Sequence, residues 1–201
     1  MTTRNSLLFS IMLIGVILMD GPTGAGGDAE AKKKWAIAIH GGAGADPSSW
    51  DQDKTEARKQ GLVRALATGR DMLAEGRSAL DTVESVIQVL EDDAAFNAGR
   101  GAVLTDEGRA ELDASIMDGQ TLACGAVAGV TRVKNPIALA RRVMTETKHV
   151  LLAGPGADQF AESQGLPLVD PDYFLSWRAP PVDPDSDRSD HPHYGTVGCV
   201  V

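Results

Sequence analysis

Near the carboxyl end of this 201-residue chain, a segment that cannot build a core is followed at once by one that has to be buried. Residues 166–195 hold six prolines and six aspartates, a composition that predicts a mobile linker. Residues 196–201 (TVGCVV) then read as the start of a buried strand. We therefore expect a new structural element to begin at residue 196, after a segment that lies outside the core.

The composition describes an acidic globular protein. Apolar residues make up 43% and charged residues 23% of the chain, and the formal net charge is -9. Binding to nucleic acid or to an anionic membrane surface needs a cationic field, which this balance does not supply. We therefore expect neither as a partner.

The amino-terminal 31 residues resemble a secretory signal. Arg4 precedes a thirteen-residue apolar run over 7–19, and Ala29-Glu30-Ala31 offers a cleavage site. The run is too short to span a bilayer, so we expect no stable membrane insertion and a protein exported to the periplasm or secreted.

The core, over 32–165, has a mixed α+β pattern. A strand over 35–39 leads into a glycine loop, and helices are expected from 55 to 75 and from 79, with Ser78 as the N-cap of the second. Strands follow at 102–105, 110–117 and 124–133 with antiparallel pairing, then a helix from Asn135-Pro136, a strand at 149–153 and a helix at 157–164.

Thr196 is the residue type and position that an N-terminal nucleophile requires. Cleavage of the bond between Gly195 and Thr196 would free an α-amine, with an ordinary pKa of about 7.7–8, that can accept the hydroxyl proton. Gly-Thr is a common dipeptide, and from spacing alone an ordinary strand start ranks higher.

Other candidates carry competing interpretations. The His40–Gly44 loop lacks phosphate-loop spacing and reads better as a tight turn. The acidic residues 91–93 indicate either a cation site or a solvated helix end. His191 and His193 are more simply linker residues than metal ligands.

The remaining polar candidates favour structural roles. Asp118 suits a turn, and Asp113 is expected to be a buried hydrogen-bonding group. Cys124 and Cys199 are expected to be buried thiols, with a disulfide possible in an exported protein.

Six segments, in order, resemble the plant-type L-asparaginase and isoaspartyl peptidase family of N-terminal nucleophile hydrolases. They are residues 39–44 (IHGGAG), 90–99 (LEDDAAFNAG), 111–119 (ELDASIMDG), 125–129 (GAVAG), 135–136 (NP) and 195–198 (GTVG).

The resemblance implies an αββα sandwich, of which only the amino-terminal α-chain part is present, and self-cleavage before Thr196. It implies a β chain beginning at 196, an (αβ)2 assembly, and an active site in which Asn97 and the loop of His40, Gly41 and Gly42 lie near the nucleophile. It also implies no organic cofactor but a structural sodium ion, bound mainly by the backbone carbonyls of Leu90, Glu91, Asp93, Phe96, Ala98 and Arg100.

The implied activity is hydrolysis of β-aspartyl peptides and of L-asparagine. The family's substrate-binding arginine and aspartate belong to the β chain, so the chain as written is expected to be inactive. Glycosylasparaginase, threonine aspartase and a non-enzymatic exported binding domain are the alternatives.

Overall fold

The structure, a computed structural model, describes residues 14–18, 34–42, 52–175 and 196–201. The strands are β1 (Ile14–Leu18), β2 (Ala36–His40), β3 (Leu112–Met117), β4 (Cys124–Val130), β5 (Leu151–Ala153) and β6 (Gly198–Val200). The helices are α1 (Gln52–Ala74), α2 (Ala79–Glu91), α3 (Pro136–Glu146) and α4 (Gly154–Ser163), with 3-10 turns at Gly99–Gly101 and Pro171–Phe174.

The six strands form two three-stranded sheets. One has the order β1-β2-β6 with antiparallel neighbours, and the other pairs β3 with β4 antiparallel and β4 with β5 parallel. The mixed α+β prediction is confirmed. The strand predicted over 102–105 is wrong in extent: only an isolated antiparallel bridge between Leu104 and Ala110 forms there, across the turn that contains Gly108.

Helix α1 begins three residues before the predicted start at 55 and ends one residue before the predicted end at 75, and α2 begins at the predicted residue, 79. Gly76 adopts φ +79 immediately after α1, a conformation that favours glycine and ends the helix. Ser78 caps α2 by accepting the N–H of Asp81 at 3.1 Å. Val86 and Leu90, one turn apart on α2, are both fully buried, so α2 turns its apolar face to the core.

Among the residues that the structure describes, helices cover only one face of each sheet. In β2, Ile37 and Ile39 are 1% and 3% exposed, whereas Val200 on the neighbouring β6 is 70% exposed. In β3, Leu112 and Ile116 are buried against α3, and the alternate face is open. The expectation that Asp113 is buried is wrong, because it lies on the open face and accepts the N–H of Gly129 at 2.8 Å.

The ordered core extends to Leu175, ten residues into the segment predicted as a linker. Val169 donates its N–H to the carbonyl of Arg132 at 2.8 Å, and Leu168 bridges to Val133. Phe174 is fully buried. The prolines and aspartates therefore do not keep this stretch out of the core, because Leu166, Leu168, Val169 and Tyr173 also pack against it.

Several sequence predictions lie outside the described residues: most of the signal segment, His191, His193 and Gly195. The helices that are described include none long and apolar enough to cross a membrane. Cys124 and Cys199 are free and half-buried, so neither the disulfide nor full burial is found. Burial raises the pKa of the Cys199 thiol to about 12.

Candidate active site and the adjoining loop

Thr196 precedes β6, which pairs with β2 at the end where the glycine loop begins. The antiparallel register of β2 and β6 sets Ile39 opposite Cys199 and His40 opposite Gly198. The same register continued by two residues would set Thr196 opposite Gly42. Thr196 is exposed.

Two glycines, Gly41 and Gly42, follow β2 at the start of the glycine loop. Gly42 has φ +117, which favours glycine. His40 is half-buried, and its Nε2 has no hydrogen-bond partner among the described residues. At the end of β2, the imidazole of His40 is thus followed by two residues without side chains, Gly41 and Gly42.

Phe96 brings a second loop to the same place. A Cβ at Gly41 would lie 3.2 Å from Cε1 of Phe96, so the ring packs directly on the backbone of the glycine loop. The next residue, Asn97, holds its own loop by accepting the N–H of Val103 at Oδ1, at 2.8 Å. The predicted site residues His40, Gly41 and Asn97 are therefore carried by two loops in contact at Phe96.

The loop from 92 to 101 is tightly folded on itself. Gly99 has φ +48, and a Cβ there would lie 2.5 Å from the carbonyl oxygen of Glu91. A Cβ at Gly101 would collide with the carbonyl oxygen of Phe96. Both glycines are required because backbone carbonyls occupy the space of a side chain.

The acidic run at the start of this loop has separate protein partners, which sequence reasoning did not foresee. Glu91 Oε1 accepts the N–H of Ile137 at 3.0 Å. The next two carboxylates pair with the residues just before α3 and with α1, respectively. Asp92 contacts Lys134 Nζ at 2.8 Å and Asn135 Nδ2 at 3.1 Å, and Asp93 contacts Arg64 Nη2 at 2.6 Å and the N–H of Ala95 at 2.9 Å.

Glu91 is the most unusual of these acids. It is 3% exposed, and burial raises the pKa of its carboxyl to about 8, although the hydrogen bond from Ile137 opposes the shift. Its second oxygen, Oε2, is buried and has no hydrogen-bond partner within the described part of the chain. The interpretation of the acidic run as a solvated helix end is therefore wrong for Glu91.

The backbone carbonyl oxygens of the loop over 92–101 are of the chemical type that binds hard cations. No group of three or more His, Cys, Asp or Glu side chains in the described ranges could hold a metal ion. The carbonyls of Asp93, Phe96 and Ala98 each accept one backbone N–H, which leaves each a second lone pair, whereas the carbonyl of Leu90 accepts the N–H groups of both Asp92 and Asp93. Backbone oxygens of this kind are ligands that hard cations prefer.

Asp158 is a buried polar residue that the sequence analysis missed. It is 6% exposed and accepts four hydrogen bonds, from Thr131 N (3.0 Å), Thr131 Oγ1 (3.1 Å), Arg132 N (3.2 Å) and Val133 N (3.3 Å). Its position beside Ala157 and Ala161 on the buried face of α4 was the available signal. It fixes the turn that leads from β4 to α3.

Asp118 has the structural role that was predicted. Its Oδ1 accepts the N–H of Gln120 at 3.0 Å and its Oδ2 the hydroxyl of Thr121 at 2.7 Å. The hydroxyl of Thr121, and then the N–H of Gln120, lower the pKa of this carboxyl. A cleft of about 330 Å³ lies between α2 and α3 around Glu84 and Arg141, and its lining includes none of the candidate site residues.

Comparison with known proteins assigns the class of the chain. A protein-family model described as asparaginase matches residues 33–201, which places the chain among the amide hydrolases. More closely, the chain belongs to the plant-type L-asparaginase and isoaspartyl peptidase family.

Relatives from three kingdoms of life support this assignment. The chain is 51% identical over 142 residues to the probable isoaspartyl peptidase/L-asparaginase 2 of Arabidopsis thaliana, covering 71% of this chain and 43% of the relative. It is 49% identical over 142 residues to the isoaspartyl peptidase of Salmonella typhimurium (70% and 45%) and 50% identical over 136 residues to the plant-type L-asparaginase of Pyrococcus abyssi (68% and 43%). The chain thus spans about half the length of the curated relatives it matches.

Proposed function

We propose that this chain is the amino-terminal part of a β-aspartyl amide hydrolase that uses Thr196 as its nucleophile. The observation that carries the proposal is the pairing of His40 with Gly198, which sets Thr196 beside the glycine loop. The complete enzyme would act on isoaspartyl peptides and L-asparagine, in keeping with the names of the relatives.

The first reaction is self-cleavage. The Thr196 hydroxyl oxygen attacks the carbonyl carbon of Gly195, and the peptide C–N bond breaks as the Thr196 nitrogen takes up the proton. The resulting ester is hydrolysed by water, which leaves a carboxylate on Gly195 and a free hydroxyl and α-amine on Thr196. The new amine then serves as the base for the same hydroxyl.

The second reaction is hydrolysis of the substrate amide. The Thr196 oxygen attacks the β-carbonyl, and ammonia or the α-amine of the next residue leaves with a proton. Water hydrolyses the acyl-enzyme ester and releases aspartate. We assign to this centre Asn97, whose Oδ1 accepts the N–H of Val103, and the glycine loop.

The open sheet faces support an αββα sandwich with an (αβ)2 assembly. Helices cover the face of the first sheet that carries Ile37 and the face of the second sheet that carries Leu112. The opposite faces of both sheets lack cover within the described residues. We propose that β-chain strands pack there. A buried second layer would remove Met117 (57% exposed) and Val200 (70% exposed) from water.

The loop would hold sodium through the carbonyls of Leu90, Glu91, Asp93, Phe96, Ala98 and Arg100. Such an ion supplies no bond-making chemistry and would fix the loop that carries Asn97. The carboxylates of Asp92 and Asp93 pair with other protein groups, which favours binding by backbone oxygens.

Export to the periplasm or outside the cell remains part of the proposal. It depends on the signal-like composition of residues 1–31.

Mass spectrometry tests the proposal directly. The gene completed with its β chain is expected to yield a fragment ending at Gly195, and Thr196→Ala should abolish that fragment. Thr131→Ala is the matched control, because its hydroxyl lies at the Asp158 turn. An uncut product would instead favour a non-enzymatic binding protein, and release of N-acetylglucosamine from a glycosylasparagine would favour glycosylasparaginase.

A further inference from the structure

Helix α3 begins without a capping side chain of its own. Asn135 occupies the N-cap position, but its side chain makes no capping hydrogen bond and donates to Asp92 Oδ1 instead. The N–H of Ile137, which would otherwise lack a partner at the helix start, is bound by Oε1 of Glu91 at 3.0 Å. The acceptor that caps α3 therefore comes from the last residue of α2.

Glu91 is also where the two ends of the loop over 92–101 meet. The chain leaves α2 at Glu91 and returns at Gly99, whose missing Cβ would lie 2.5 Å from the Glu91 carbonyl oxygen and 2.7 Å from the Glu91 Cβ. The loop is closed by this contact, while the side chain of the same residue is held by α3.

We propose that Glu91 is a positioning residue for the loop over 92–101. By capping α3 from α2, it fixes the base of the loop and so the conformation in which Asn97 accepts the N–H of Val103. The inference rests on the proposed function only in that this loop carries Asn97 and the carbonyls assigned to sodium.

The burial of Glu91 distinguishes it from its neighbour. Asp92 joins the same two elements through Lys134 and Asn135, but its side chain is 44% exposed and that of Lys134 is 31% exposed. An exposed pair of this kind holds its elements weakly. Asp92→Asn is therefore the matched control, because it weakens an exposed contact between the same two elements that we do not expect to fix the loop.

Amide hydrogen exchange on the full 201-residue chain is the test. Glu91→Ala should speed exchange of the Val103 and Gly101 amides about tenfold, as expected for local opening after loss of one buried hydrogen bond. Amides of β3 and β4 should keep their rates. Glu91→Gln retains a carbonyl acceptor and should restore slow exchange, and Asp92→Asn should resemble the unmodified protein.

Two results would overturn the proposal: unchanged exchange at Val103 in Glu91→Ala, or equal acceleration across the loop and the β3–β4 sheet, which would mean a general loss of stability. If Glu91→Ala does not fold, Glu91→Leu fills the site without an acceptor and takes its place.

A sodium titration followed by melting temperature provides a second readout. The sodium-dependent rise should weaken in Glu91→Ala and persist in Glu91→Gln and Asp92→Asn, and an equal rise in all four proteins would contradict the proposal. A missing response in the unmodified protein would count against the sodium site, and the exchange rates would then decide the role of Glu91. Thr196→Ala should leave the Val103 rate unchanged, so failure of self-cleavage is distinguishable from failure of this inference.

Discussion

The ring of Phe96 packs on the backbone of Gly41, and a Cβ at that glycine would lie 3.2 Å from the ring and 3.0 Å from Cδ2 of Leu62. This contact joins the glycine loop, which follows β2, to the loop that carries Asn97. It explains why position 41 needs glycine.

Gly41→Ala should therefore destabilise the protein, by about 1–3 kcal/mol in the free energy of unfolding, because Phe96 or Leu62 must move. Urea denaturation measures the change. Gly119→Ala is the control, since a Cβ at Gly119 has no neighbour within 4 Å. Equal effects of the two substitutions would show that the Phe96 contact is not tight.

Removing the Asp158 carboxylate should cost about 3–5 kcal/mol, because Asp158→Ala leaves the Arg132 and Val133 N–H groups without an acceptor in a buried turn. Asp158→Asn keeps one acceptor oxygen and should cost less. Thermal and urea unfolding measure both. An Asp158→Ala protein as stable as the parent would mean that water replaces the carboxylate freely.

The raised pKa of Glu91 predicts how stability changes with pH. The folded protein keeps this carboxyl protonated up to about pH 8, whereas the unfolded chain releases the proton near its ordinary pKa of 4.5. The contribution of Glu91 is thus fully present below pH 4.5 and is lost as the pH rises to 8, with a slope that approaches about 1.4 kcal/mol per pH unit.

Glu91→Gln lacks this titration, so the difference in unfolding free energy between the two proteins isolates it. Denaturant titrations in sodium-free buffer at pH 5, 7 and 9 should show the parent losing stability relative to Glu91→Gln. A constant difference across this range would mean that Glu91 is ionised in the folded protein.

Phe174 is fully buried near the end of the segment over 52–175. Phe174→Ala should lower the free energy of unfolding by about 3–5 kcal/mol because it leaves a cavity in the core. Val63→Ala, at a position 67% exposed on α1, should change stability by less than about 0.5 kcal/mol. Limited proteolysis is a second measure, since the segment before Leu175 should become cleavable only in the Phe174 variant. Equal stability of both variants would place residues 166–175 outside the core.

The local elements could be predicted because their signals are local. The turn at Gly76, the Ser78 cap and the apolar face of α2 are encoded within a few residues and occur as expected. The start of α3 was predicted at the correct residue, but its capping acceptor was not, because Glu91 lies 46 positions away. Asp113 was placed wrongly because alternation along a strand does not reveal which face the helices cover.

The sequence by itself determined the family and the position of the candidate nucleophile, since ordered motifs and a hydroxyl at the start of a strand need no coordinates. Only the tertiary structure decided which groups meet: His40 with Gly198, Phe96 with Gly41, and Glu91 with Ile137. Spacing along the chain records backbone conformation and hydrophobic period. Contacts between distant segments depend on register and packing, which only the folded chain defines.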